Sequence, residues 1–415
     1  MARTVAGLPK GTRITDHISL GVIARAFPLE RVHAVLRETQ RESRRQRNLP
    51  AHVMVYYAIA LALYMQVCCR EVLRCLLEGV RWLAGPDVEI RVAGTSGISQ
   101  ARERVGSEPL RLLHDELVVP VAVRGEGRTT KGAWYRRWRV VSMDGSTLDV
   151  ADTRENEAAF GRPAASRGKS AFPQVRFVSL VENGTHVLFG ARVAGYGTSE
   201  VALARETIGF LSEGMVCLAD RNFFSYDNWK RARSTGAELV WRVKKNLKLP
   251  CLKRFRDGSH RSKIYASDQD RRHDRDGIEV RVVEYRLEGT ADAEPLYRVI
   301  ATILDPRQAP AKELAALYAA RWEIETAFDE FKTHLRGAQI VLRSKRPDLV
   351  IQEFYGFMMA HFAIRGLMHE AALKADIDPD RLSFTHAVRV IRRKLPRFVS
   401  LPPSGKGDFS SSRSQ

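Results

Sequence analysis

The chain has 415 residues, 44% hydrophobic and 28% charged, which excludes a disordered polymer and allows a large core divided among two or three domains. Its 67 lysines and arginines against 48 acids leave a formal charge of +19, far more than solubility requires, so a polyanionic partner is expected. Cys68, Cys69, Cys75, Cys217 and Cys251 form no CxxC pair, which argues against a zinc site or a disulfide frame and for reduced core thiols.

The opening stretch MARTVAGLPKGTRITDHISL has no apolar run, so no secretion signal is visible and a cytosolic location is expected. Residues from about 19 to 118 read as helices by their apolar spacing, in GVIARAFPLERVHAVLRETQ, AHVMVYYAIALALYMQVCC, REVLRCLLEGVRWLAG and SEPLRLLHDELV. The second of these barely reaches membrane-spanning length and carries His52 and Gln66, so a buried helix is expected instead. The basic run RESRRQRNLP between the first two is either a solvated loop or a phosphate-contacting one.

Behind the glycine-rich, basic joint GEGRTTKGAWYRRW the hydrophobic period changes to that of strands. WRVVSM, QVRFVSLVE and THVLFGARV read as three consecutive strands, followed by a helix over 199–211, the strand MVCLA, a helix near SYDNWKRARST and the strand AELVWRV. GYGTSE resembles a phosphate loop only superficially and reads as a turn in which Thr198 or Ser199 caps the next helix. From about Lys245 to Glu294 the chain reads as a β-rich insertion. YRVIATIL then resumes a strand, Pro310 opens a long helix, a further helical region runs to about Lys374, and the tail GKGDFSSSRSQ reads as disordered.

In LYAARWEIETAFDEFKTHL, an ideal helix puts Leu317, Ala320, Ile324, Ala327, Phe328, Phe331 and Leu335 on a core face. With Tyr318 at zero, Arg321, Glu325 and Lys332 fall within about 60° of it, with Asp329 on the same stripe, while Glu323 and Glu330 point more than roughly 100° away. Such a stripe can hold a hard cation on Glu325 and phosphates on its arginine and lysine. An exposed face with an Arg321–Glu325 ion pair explains the helix equally well when it is taken alone.

Metal-dependent phosphoryl transfer needs more acids, held rigidly. WRVVSMDGSTLDV places Asp144 at the end of an apolar strand, and MVCLADRNFF places Asp220 likewise. Asp149, Asp152 and Asp227 are rivals in less strand-like surroundings. Three strands, a helix, a strand and a later helix carrying Glu325 match the order of a ribonuclease H-like mixed α/β sheet with flanking helices.

The spacing Tyr318, Arg321, Glu325, Lys332 is Tyr-x2-Arg-x3-Glu-x6-Lys, and here the chain resembles the DDE transposases of the insertion sequence 4 family with their YREK signature. DGSTLDVADTRENEAAFGRP and ADRNFFS are similar to that family's segments around its first two acids, and the helical front and DPDRLSFTHAVRVIRRKLP to its ends. The resemblance implies an N-terminal all-helical DNA-binding domain over 1–125 and a catalytic domain over 136–245 and 297–374, interrupted by a β-rich insertion over 246–296. A short segment over 375–415 would close the chain.

It further implies Asp144, Asp220 and Glu325 as catalytic ligands of two Mg2+ ions, with Mn2+ as a substitute, and cut-and-paste transposition through a hairpin. Tyr318, Arg321 and Lys332 would contact DNA near the cut end, as would Arg242 and Lys244. Tyr297 stands 21 residues before the motif tyrosine, where better-studied members hold a flipped base on tryptophan. The implied partners are DNA, as terminal inverted repeats and target, and a second copy of the chain. The implied setting is bacterial and nucleoid-associated, with no membrane. A DNA-binding protein without turnover and a metal-dependent nuclease without strand transfer fit the same charge, and a joining assay separates them.

Overall fold

The computed structural model describes residues 21–45, 49–74, 76, 93–125, 128–165, 168–169, 172–286, 296–337 and 340–393. The run RESRRQRNLP, the helix read from REVLRCLLEGVRWLAG, the GEGRTT joint and the end of the insertion are therefore described only in part, and the tail GKGDFSSSRSQ lies outside these residues.

Four helices open the described chain: α1 (Leu29–Glu38), α2 (Ala51–Leu63), α3 (Thr95–Val105) and α4 (Glu108–Leu117). A short strand β1 (Trp134–Tyr135) turns back on β2 (Trp138–Asp149), followed by α5 (Arg154–Phe160), β3 (Ala164–Ala165), β4 (Gly168–Lys169), β5 (Gln174–Glu182) and β6 (Val187–Gly195). Next come α6 (Glu200–Thr207), β7 (Met215–Ala219), α7 (Tyr226–Ser234), β8 (Glu238–Arg242), β9 (Lys253–Arg254), β10 (His260–Ile264) and α8 (Asp268–Arg272). The order ends with β11 (Ile278–Tyr285), β12 (Tyr297–Ala301), α9 (Ala311–Ala319), α10 (Glu323–Asp329), α11 (Pro347–Ala375) and α12 (Phe384–Arg393).

The main sheet runs β6-β5-β2-β7-β8-β12-β11-β10-β9, with β1 paired to β2. β6, β5 and β2 are antiparallel, while β7 lies parallel to both β2 and β8. That is the ribonuclease H-like layout expected from the strand order. Strands β9 to β11 do not stand apart as the word insertion suggests: β11 pairs with β12 and β12 with β8, so they continue the same sheet.

Helix α2 is buried at every position except His52, and no described helix is long and apolar enough to cross a membrane. It packs against α11, and the two backbones touch where a Cβ on Gly356 would stand 2.3 Å from the Ala58 carbonyl oxygen. Arg343 reaches the open carbonyls at the end of α2, donating to Leu61, Tyr64 and Val67 at 3.1, 3.0 and 2.8 Å, which satisfies the C-terminal groups a helix leaves unpaired. Residues of α1 to α4 and of the sheet's helix-covered face thus join one buried cluster.

Two expectations need correction. The thiols are free but not uniformly in the core: Cys217 is buried, Cys69 half-buried, and Cys68 and Cys251 are exposed, with Cys75 outside the described residues. The helix from Pro310 is not continuous either. After α9 it tightens to a 3-10 turn over Ala320–Trp322, resumes as α10 and widens to a π turn over Glu330–Leu335. Asn183 Nδ2 donates to the Ala320 carbonyl at 2.7 Å, and a side chain entering the ladder is a known cause of such a break. Of the expected core face, Leu317, Ile324, Ala327, Phe328, Phe331 and Leu335 are buried, while Ala320, at the 3-10 turn, is only half-buried.

Candidate active site

Parallel pairing sets the first two acids side by side. The β2–β7 ladder ends at Met143↔Ala219, so Asp144 and Asp220 are the next residues on two adjacent parallel strands. Carboxyl ends of parallel strands are where α/β sheets place their ligands. Val140 to Met143 and Val216 to Ala219 behind them are buried, which fixes both backbones while the carboxylates emerge half-buried. Asp144 Oδ1 accepts from Gly145 N at 2.8 Å.

Glu325 arrives from the first turn of α10 and is tied to Asp144 by Arg321. One guanidinium nitrogen donates to Asp144 Oδ2 at 2.9 Å and the other lies 3.7 Å from Glu325 Oε1. The stripe drawn on an ideal helix therefore survives the break in the helix, but it is not open to solvent: Tyr318 and Arg321 are buried against the sheet. Glu325, at 52%, and Asp329 are the exposed acids of that stripe.

The electrostatics shift Asp144 and Glu325 upward from their ordinary values. Burial raises the pKa of Asp144, Gly145 N–H and the Arg321 charge pull it back, Asp220 pushes it up again, and the net direction is upward. Glu325 is also raised, by burial first and by Asp144 and Asp220, against the pull of Arg321. Asp144 and Asp220 each push the Glu325 value up, so the acids feel one another's negative charge in spite of the single arginine between them.

The other residues singled out by sequence fall around this centre. Arg242, at the end of β8, has Nη1 3.8 Å from Asp220 Oδ1. Lys332 is half-buried and donates to Ser146 Oγ at 3.0 Å, and burial, then Arg336, lowers its pKa. Lys244 is exposed and lines a cleft of about 280 Å³ with Arg221, Phe224 and Lys248. Tyr297 opens β12, where its ring stacks on Tyr285 at 5.4 Å and lies 4.6 Å from the Arg242 guanidinium. Both contacts take ring surface that a base would need.

Sequence reasoning missed two neighbours. Trp322 is 60% exposed beside Arg321, whose guanidinium lies 5.2 Å from its ring; its place one residue after the motif arginine was the available signal. Glu200, first residue of α6, approaches the centre from the opposite direction in the chain, and no spacing rule connects it to the others.

A second group, His186, Glu323 and Asp380, brings its nitrogen and carboxylate atoms within 4.8 Å of one another. Its hydrogen bonds do not suit a metal. His186 Nδ1 lies 2.5 Å from Arg365 Nη2 and 3.4 Å from Glu330 Oε1, and its Nε2 lies 3.1 Å from Asp380 Oδ1, so both ring nitrogens are already engaged. Arg365 also holds Glu330, through Nε to Oε2 at 2.8 Å and a further contact from Nη2. This network fastens Glu330 to α11 and the segment after it.

Asp144, Asp220 and Glu325 do suit hard divalent cations. They are oxygen donors only, and Asp220 Oδ1 is a buried atom with no hydrogen-bond partner. The Tyr318 hydroxyl and Arg321 Nε are likewise buried and unpaired, so this centre has polar capacity in reserve.

Residues 17–115 match the family described as Insertion element 4 transposase N-terminal, and residues 137–362 the family described as Transposase DDE domain. Transposase InsG for insertion sequence element IS4, from Escherichia coli strain K12, is 27% identical over 381 residues, covering 90% of this chain and 82% of that protein. Among solved structures, a piggyBac transposase synaptic complex with hairpin DNA, determined by cryo-EM, aligns with 90% of this chain and 79% of its own at 13% identity and a TM-score of 0.47.

Proposed function

The chain belongs to the DDE transposases of the insertion element 4 family, a DNA-cleaving and strand-transferring enzyme class that uses divalent metal, and we propose that it moves its element by cut-and-paste with Asp144, Asp220 and Glu325 as the metal-holding acids. The observation that carries the assignment is the convergence of these three carboxylates, from β2, the end of β7 and α10, around Arg321.

In this reading Asp144 would be shared by two Mg2+ ions, with Asp220 and Glu325 each serving one, and Mn2+ would substitute. When bound, the ions activate the attacking oxygen and neutralise the leaving one. The chain's own part is placement. Arg321, with Nε unpaired, and Lys332 grip phosphate oxygens of the transposon end; Arg242 and Lys244 follow the backbone outward; Tyr318 presents its hydroxyl from a buried position.

The sequence of bonds is as follows. Water attacks the phosphorus at the element's end, the P–O3′ bond breaks, and the element keeps a 3′-hydroxyl. That hydroxyl attacks the opposite strand, giving a hairpin and releasing flanking DNA; a second water opens the hairpin, and the regenerated 3′-hydroxyl attacks target DNA. Two copies of the chain would act on paired inverted repeats.

Trp322 offers a second candidate for the aromatic that holds the displaced base, because it is exposed where Tyr297 is already stacked. The test supplies the full chain with MgCl2 and a duplex carrying the element's end, and follows nicked, hairpin and joined products. Asp144→Asn is expected to abolish all three while DNA binding persists. Nicking at the wild-type rate by Asp144→Asn would remove the assignment.

A further inference from the structure

The GYGTSE stretch does cap a helix: Ser199 Oγ accepts from Ala202 N at 3.2 Å and α6 begins at Glu200. What the turn also does is aim the Glu200 side chain at β2. A Cβ added to Gly145 would stand 3.1 Å from both Cδ and Oε1 of Glu200, so the carboxylate lies directly over the residue after Asp144 and a larger residue there would crowd it. Glu200 is half-buried, and among the described residues no hydrogen bond or ion pair holds its carboxylate.

We propose that Glu200 is a fourth carboxylate of the catalytic centre, holding the divalent cations together with Asp144, Asp220 and Glu325; this rests on the reading of that centre given above. Charge supports it. Two divalent cations bring four positive charges, which three carboxylates leave unbalanced, and Arg321 adds another of the same sign. Glu200 supplies the missing negative charge from the side of β2 that Gly145 leaves open.

The local field agrees. Burial raises the Glu200 pKa, Arg176 pulls it down, and the charges of Asp144 and Asp220 push it up, so the acid shares their electrostatic environment. The unpaired hydroxyl of Tyr318, in a side chain only 5% exposed and in the field of Asp220 and Arg321, shows independently that the centre is not closed by its own hydrogen bonds. An acid in the first turn of a helix is also favoured by the helix dipole, which accounts for a glutamate at position 200 but not for its contact with Gly145.

The test titrates MnCl2 into the full-length protein and its variants and follows free Mn2+ by electron paramagnetic resonance, with thermal midpoints measured in chelator as a fold control. Glu200→Gln is expected to raise the half-saturating Mn2+ concentration about tenfold or more with its metal-free midpoint unchanged. Gly145→Ala, which leaves Glu200 in the chain but crowds its carboxylate, is expected to move binding the same way and by less. Wild-type Mn2+ binding by Glu200→Gln, alongside weakened binding by Asp144→Asn, would overturn the proposal while sparing the parent reading. Unchanged binding by Asp144→Asn as well would overturn both. If Glu200→Gln lowers the metal-free midpoint, Glu200→Ala decides, and unaltered Mn2+ binding there overturns the proposal.

Discussion

Glu325 and Glu330 lie five residues apart on one helical segment and have opposite characters. Glu330 is buried, and although burial opposes ionisation, His186, His361 and Arg365 outweigh it and hold the carboxyl well below the usual range. Glu325 is half exposed, shares one arginine with Asp144, and is held above its ordinary value. An acid whose lone pairs are filled by fixed donors holds the structure together; an acid left with unmet charge beside others of its kind is available for a ligand.

The sharpest way to break this contrast is to neutralise each acid in turn. Glu325→Gln is expected to slow strand cleavage roughly a thousandfold, about 4 kcal/mol of barrier, with no loss of thermal stability. Glu330→Gln leaves Arg365 buried without its counter-charge and is expected to destabilise the fold by about 3–5 kcal/mol, read as a lowered Tm. Should the two variants exchange phenotypes, the division between structural and functional acids would be wrong.

The same contrast predicts opposite pH responses. Glu330 ionises below its ordinary 4.5, so its stabilisation is complete above that pH and is lost as pH falls below it. Asp144 and Glu325 are raised, so their contribution runs the other way: it favours folding while they are protonated and is lost as pH rises beyond the usual carboxylate range. Thermal melts from pH 3 to 8 are expected to show a shallower acid limb for Glu330→Gln, and no fall in Tm at pH 7 for Asp144→Asn.

Smaller effects sharpen the DNA side of the centre. Base stacking on an aromatic is worth about 1–3 kcal/mol, so Trp322→Ala is expected to cut hairpin yield about tenfold with nicking intact, and more than Tyr297→Ala does. Equal hairpin yields in Trp322→Ala and wild type would return the role to Tyr297. The smallest change is expected at exposed Lys244. Lys244→Ala should weaken end binding a few-fold and lower the slope of log K against log salt by about one, as removal of a single phosphate contact does.

Local chemistry in the sequence determined much of this protein: the burial of α2, the succession of strands and helices along the chain, the cap by Ser199 and most of the core face of the segment from Leu317 to Leu335. Each follows from spacing over a few residues, and so did the motif Tyr318, Arg321, Glu325, Lys332. Tertiary structure decided what depends on neighbours distant in the chain. Asn183 breaks the helix from 137 residues away, β9 to β11 extend the main sheet instead of forming their own, and the helical front shares a core with α11 because Gly356 lets two backbones touch. Glu200 belongs with these: its position beside Gly145 comes from the packing of α6 on the sheet, and periodicity carries no information about which helix will lie over which strand.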